Sequence, residues 1–188
     1  MNKKDNILRT TMELYHAKGE TVSLDDISRE VGCSKTLIIH YYRNRQGLFS
    51  ACFSQICHEV RLAFDQVEAP EGVSMESLRE YLTELWRAYF EYLKNDPVKA
   101  RFFIQYSHSH EPLPPRYRTP EATIRKILDE RYEKLIEEDE HLFFKIKYMV
   151  AIANGMAALA YSETTDVPED VTERCIGLIM NGVMTEPA

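Results

Sequence analysis

The chain has 188 residues, 44% of them apolar, which excludes wholesale disorder and suits one or two small domains. Its formal charge of −7 excludes a uniformly basic nucleic-acid binder. The charge is uneven, however: residues 1–50 hold 8 Lys/Arg against 6 Asp/Glu, and the remainder 15 against 24. The opening MNKKDNILRT has no signal-peptide core, and the apolar-rich run 148–161 is short for a membrane span and contains Asn154. A cytoplasmic protein is expected. Cys33, Cys52, Cys57 and Cys175 form no Cys-x-x-Cys pair, so ordinary packed thiols are expected and neither metal nor cofactor.

Helical periodicity runs through nearly the whole chain, and strand-like alternation is scarce. Ile7, Thr11, Leu14 and Tyr15 share one face of a first helix, which Gly19 can end in a left-handed cap. Ser23 and Asp26 have capping-box spacing and open a second helix, with Leu24, Ile27 and Val31 inward. Gly32 stops it, and Ser34 caps a short third helix through Tyr41 or Tyr42. Asn44 caps a fourth, running from near Gln46 towards Val67. Pro70 and Gly72 then break the pattern.

From Met75 to Lys94, Leu78, Leu82, Leu85, Tyr89 and Tyr92 form an apolar stripe opposite Glu80, Glu84, Arg87, Glu91 and Lys94. Pro97 suits the first turn of a helix over 96–107. Half of the eight prolines fall within 108–120, which predicts a long loop. Helices are predicted over 121–138 and 141–162, with a last one from beyond Pro168 to near Val183. The expected fold is all-α with about nine helices: a helix-turn-helix head over 1–48 and a helical body over 49–188.

Two helices meeting at Gly32 make a helix-turn-helix, because glycine adopts a turn conformation that other residues resist. Ser34, Lys35, Thr36, Leu37, Ile39 and His40 then project outward. Such a helix can enter a major groove with its N-terminus and cations towards phosphate. The run Ile7-Leu8, Leu14-Tyr15, Gly19, Leu24 to Ile27, Val31-Gly32-Cys33-Ser34-Lys35, Ile38, His40-Tyr41-Tyr42, Arg45, Gly47-Leu48-Phe49 resembles the signature of the tetracycline-repressor (TetR) family. It covers about the first quarter of the chain, in order and without gaps. The resemblance implies a homodimeric DNA-binding transcriptional regulator, usually a repressor released from a palindromic operator by a small ligand. It places Lys35, Thr36, His40 and Tyr41 on DNA and Arg45 near phosphate. Leu37 and Ile39 depart from the family pattern; they can meet thymine methyls or pack within the head.

No Gly-x-Ser-x-Gly, phosphate-binding loop or dinucleotide fingerprint occurs, so no enzyme is expected. Two Glu-x-x-His pairs, Glu13 with His16 and Glu138 with His141, have the spacing of a metal-dependent helical-bundle oxidase, but 21 Glu and 6 His make two such pairs unremarkable. His108, His110 and Glu111 sit in the proline-rich segment, a commoner setting for solvated side chains than for a metal site. An adaptor that binds DNA without sensing any small molecule is the other alternative.

Two surfaces complete the expectations. Helix 141–162 is apolar around most of its circumference, so Met149, Ala153, Met156, Ala157 and Ala160, with Cys175, Leu178 and Ile179 of the last helix, are expected to pair with a second copy. An internal ligand site is expected among Trp86, Tyr89, Phe90, Phe103, Gln105, Tyr106, His108, Tyr148 and Asn154; the sequence leaves open whether 108–120 closes it.

Overall fold

The computed structural model describes residues 2–107, 120–138, 141–162 and 170–184. Among these the elements are α1 (Lys3–Lys18), a 3-10 turn (Gly19–Thr21), α2 (Leu24–Val31), α3 (Lys35–Tyr42), α4 (Arg45–Phe64), α5 (Met75–Asn95), α6 (Pro97–Ser107), α7 (Pro120–Arg131), α8 (Glu133–Glu138), α9 (Leu142–Ser162) and α10 (Val171–Met184). The fold is all-α, as the periodicity predicts. The helix expected over 121–138 is divided at Tyr132, a bend whose side chain is fully buried, giving ten helices rather than nine among the described residues. The chain forms two compact units: residues up to Cys57 with the α6 residues from Val98, and His58–Pro97 with the residues from α7 onward.

In the first unit, α1 buries Ile7, Thr11, Met12 and Tyr15 against an apolar set that includes Val22, Ile27, Ile38, Leu48, Phe49 and Phe53. The rings interlock. Tyr15 meets Phe49 edge-on at 5.3 Å and Phe102 at 5.0 Å, and Phe53 stacks on Phe103 at 5.1 Å. Tyr106 stacks on Phe102 at 5.4 Å. Such offset and edge-on pairs add to the burial of large side chains. Gly19 ends α1 with φ 58 and ψ −141, so its cap is a positive-φ turn leading into the 3-10 segment, not the left-handed cap expected from sequence.

In the second unit, α5 buries Leu78, Tyr81, Leu82, Leu85, Trp86, Tyr89, Phe90 and Leu93. Tyr92, placed on the apolar stripe from sequence, lies at its edge and donates its hydroxyl hydrogen to Glu59 at 2.7 Å. Helices α5, α9 and α10 pack on one another. Arg87 binds both oxygens of Glu173 at 2.9 and 3.1 Å, and Arg79 donates to Asn181 at 2.7 Å, so polar contacts flank the α5–α10 seam.

The expected pairing surface is corrected here. Met149, Ala153 and Ala157 of α9, and Cys175 and Ile179 of α10, are buried within the protomer; Met156 is half-buried. The fully buried side chains fill the unit's own core, which leaves Leu178 and the half-buried Met156 of the expected set open to a second copy. The side chain of Ala160 is outside the described set. The open stripe of α9 is instead Phe144, Tyr148, Ala151 and Gly155, at spacings that share one helical face. Phe144 and Tyr148 are 69% and 54% exposed with their rings stacked, and Leu178 of α10 is 66% exposed.

Candidate nucleic-acid interface

Three local devices shape the α2–α3 unit. Ser23 Oγ accepts from the Asp26 N–H at 3.1 Å while Asp26 accepts from the Ser23 N–H at 3.1 Å, the reciprocal capping box that the sequence spacing predicts. Hydrogen bonds from the Ser23 side chain and from Lys18, then from the Ser23 backbone, hold the Asp26 carboxyl well below the usual carboxylate range. At the far end Gly32 takes φ 64, ψ 48, and the Cys33 N–H reaches the Ser28 carbonyl at 3.0 Å. That glycine cap turns the chain directly into α3. Ser34 then caps α3 by accepting from the Leu37 N–H at 3.2 Å.

One face of α3 anchors it, since Ile38 is fully buried. The other is open: Ser34, Lys35, Thr36, Ile39 and His40 are exposed, and Leu37 and Tyr41 are half-buried. The sequence-predicted reading set therefore gathers on one surface, with Arg45 as the exception. Ile39, 42% exposed, is available to a thymine methyl, whereas Leu37 is partly committed to packing. Lys35 is paired with Asp25 at 2.8 Å, an exposed contact that costs little to exchange for phosphate.

Arg45 is engaged by the head itself. Its Nε donates to the Val22 carbonyl at 2.7 Å, its Nη2 donates to the Glu20 carbonyl, and its guanidinium lies 4.2 Å over the Phe49 ring. The half-buried group expected near phosphate is thus tied to backbone and ring of its own head.

Sequence reasoning missed the N-terminal lysines. Lys4 Nζ lies 4.9 Å over the Tyr41 ring, the Tyr42 hydroxyl donates to the Lys4 carbonyl at 3.3 Å, and Lys3 donates to the Val31 carbonyl at 3.3 Å. Burial, with Cys52, Asp5 and Tyr41 nearby, pushes the Tyr42 phenol up to about 12, so it stays a neutral donor. The paired lysines at positions 3 and 4 were the available signal. Arg43 was missed too; it is exposed and closes α3 with φ 69, ψ −50.

Residues 7–52 match the sequence model of the bacterial regulatory proteins, tetR family. Over that segment the chain is similar to the heads of that family, a likeness that supports DNA-binding transcription regulation. Solved structures share the fold. A TetR-family regulator from Marinobacter aquaeolei aligns with a TM-score of 0.71 at 17% identity, covering 96% of this chain and 95% of that one. A tetR-family regulatory protein from Rhodococcus gives 0.71 at 16% identity over 100% of both chains. PfmR of Thermus thermophilus, a TetR-family transcriptional regulator, gives 0.67 at 19% identity over 93% and 97%. Identities this low show the fold alone, and the family likeness rests on residues 7–52.

The remaining candidates separate. Trp86, Tyr89 and Phe90 lie in the core of the second unit, where the Tyr89 hydroxyl donates to Asn154 Oδ1 at 2.8 Å. Phe103 and Tyr106 are buried in the ring cluster of the first unit, and Gln105 and Tyr148 stand at the surface. The structure therefore brings together only Trp86, Tyr89, Phe90 and Asn154 of the expected ligand set. His108, His110, Glu111 and the loop 108–119 lie outside the described residues. Glu13 accepts from Arg9 at 2.9 Å, and His16 Nε2 faces Arg101, so that Glu-x-x-His pair is engaged by arginines. Among the described residues no three His, Cys, Asp or Glu converge as metal ligands, and no helix is long and apolar enough to cross a membrane.

Proposed function

We propose that the protein acts as a homodimeric repressor, held on a palindromic operator and released by a small, largely apolar molecule. The observation that carries this reading is the open face of α3, with Ser34 to Tyr41 presented from a capped, glycine-turned helix-turn-helix. Lys35, Lys4 and Arg43 supply cations around it for phosphate, and Thr36, Ile39 and His40 offer polar and apolar groups to base edges. A regulator of this kind works beside the chromosome, in the cytoplasm.

Dimerisation is supported by the exposed Phe144, Tyr148 and Leu178, with small Ala151 and Gly155 between them; a Cβ at Gly155 would meet nothing within 4 Å. A second copy would cover that stripe with its own α9 and α10. In this division the head of residues 1–48 reads DNA, and the body of 49–188 carries the dimer and ligand functions.

The ligand reading is supported by polar atoms inside an apolar core. Trp86 Nε1 and the Tyr132 hydroxyl are buried without a hydrogen-bond partner, a minority state for buried polar groups. A ligand bearing oxygen acceptors beside an apolar body would satisfy them. It would act by binding unequally to the DNA-competent and released states.

Selection of duplexes from a random-sequence pool tests the proposal. The expected product is a two-fold symmetric site whose affinity falls steeply with salt, and whose complex is released by an aromatic acid, ketone or similar compound from a screen. Enrichment of no sequence, or of an asymmetric single site bound by one protomer, would refute it.

A further inference from the structure

The geometry points to Arg45 as a positioning residue that fastens the start of the helix-turn-helix to its end, rather than a contact to DNA. This rests on the DNA-binding reading of the head. The reading unit runs from Ser23, the cap of α2, to Tyr42, the last residue of α3. On its upstream side, Arg45 Nε and Nη2 hold the carbonyls of Val22 and Glu20, the residues that lead into α2. On its downstream side, Arg45 opens α4 two residues beyond a tight turn. Arg43 there has φ 69 and ψ −50, and the Asn44 N–H returns to the Tyr42 carbonyl at 2.9 Å, a strained positive-φ γ-turn.

The two attachments share one foundation. The guanidinium carbon lies 4.2 Å over Phe49, whose ring is buried and meets Tyr15 at 5.3 Å. A planar fork can span two carbonyls and stack on a ring at the same time; a lysine ammonium, as a point charge, cannot reproduce both. A guanidinium so engaged is not free to grip phosphate bidentately. Neutralisation of the backbone then falls to other cations of the face, and Arg45 sets the fraction of heads in which α2, α3 and the first turn of α4 stand in the arrangement that fits DNA. Losing that fraction weakens every complex by the same factor.

The test uses the full-length protein and a duplex selected by the wild type from a random pool. Arg45→Ala and Arg45→Lys are both expected to lose roughly tenfold in affinity, equivalent to leaving about a tenth of dimers with both heads competent. The slope of log K against log salt is expected to stay at the wild-type value. A phosphate contact would give the opposite pattern: Arg45→Ala would flatten the slope by about 1.8, one contact being lost from each protomer, and Arg45→Lys would restore affinity and slope. That pattern, or unchanged affinity in both variants, overturns the proposal. A readout on the wild type covers the event that the variants do not fold. The Arg45 Nε–H resonance is expected to be protected from exchange without DNA and unmoved on adding the duplex; rapid exchange, or a shift on titration, overturns it. Failure of the wild type to select any duplex would instead refute the DNA reading itself.

Discussion

Replacing Gly47 by alanine sets two effects of opposite sign against each other at the α3–α4 junction. Gly47 lies in the first turn of α4, where alanine is the better helix former by about 1 kcal/mol. A Cβ built there would sit 2.1 Å from the Tyr42 carbonyl oxygen. Carbon and oxygen in ordinary contact stay roughly 3.3 Å apart, so backbone must move by about 1.2 Å. The atom in the way belongs to the main chain of the γ-turn and cannot rotate aside. Overpacking of this kind costs about 1–3 kcal/mol. Moving the turn also stretches the 2.7 Å bond from the Gly47 N–H to Asn44 Oδ1, a helix-capping contact worth about 1 kcal/mol. The clash and the cap together exceed the propensity gain, and Gly47→Ala should destabilise the protein by about 2 kcal/mol. Urea unfolding followed by far-ultraviolet circular dichroism measures it. The single tryptophan, Trp86, belongs to the second unit and is the wrong reporter for this change. Operator affinity should fall as well, because the displaced segment is the end of α3. An unchanged or raised midpoint would mean that propensity wins and that the close approach is relieved at no cost.

Ser23→Ala should cost about 1 kcal/mol by removing the α2 cap, read from the unfolding midpoint. Because the folded-state pKa of Asp26 is depressed, its contribution is present above the ordinary carboxylate range near pH 4 and is lost as pH falls below it. The acid side of the stability profile should therefore be flatter in Ser23→Ala, as followed by unfolding at stepped pH. Leu178→Arg should shift sedimentation equilibrium towards monomer while leaving protomer stability within about 0.5 kcal/mol, since Leu178 is exposed. Met149→Arg, at a position fully buried in the protomer, should instead cost the protomer about 3–5 kcal/mol. Asp25→Asn should tighten binding to all duplexes by freeing Lys35 and removing a negative charge from the face, and Lys35→Ala should weaken all of them and lower the salt slope by about 1.8, one contact per protomer, both measured by fluorescence anisotropy.

Local signals in the sequence located the head because each depends on residues adjacent in the chain. Ser23 with Asp26, the glycine at 32 and the cap at 34 dictate their own turns, and the structure keeps all three. Long-range commitments were not legible. Nothing local to Arg45 says that carbonyls 23 and 25 residues upstream will occupy its guanidinium. The lysines at positions 3 and 4 read as an ordinary polar start until α1 folds back beside α3. On α9, apolar residues occur on nearly every side, so periodicity could not choose between inward and outward faces. Packing against α5 and α10 decided it, burying Met149, Ala153 and Ala157 and leaving Phe144 and Tyr148 open. The aromatic residues assigned together to one ligand site divide between two units, because ring type marks a core without saying which one.

The central claim is that two copies of this chain read DNA through the exposed face of α3. Hydroxyl-radical footprinting on the selected duplex, at several salt concentrations, tests it most directly. The account expects two symmetric protected patches about 34–36 Å apart, one helical turn, lost together as salt rises and lost in a variant whose Thr36, Ile39 and His40 are all alanine. A single protected patch, protection that survives the triple substitution, or a footprint insensitive to salt would contradict it.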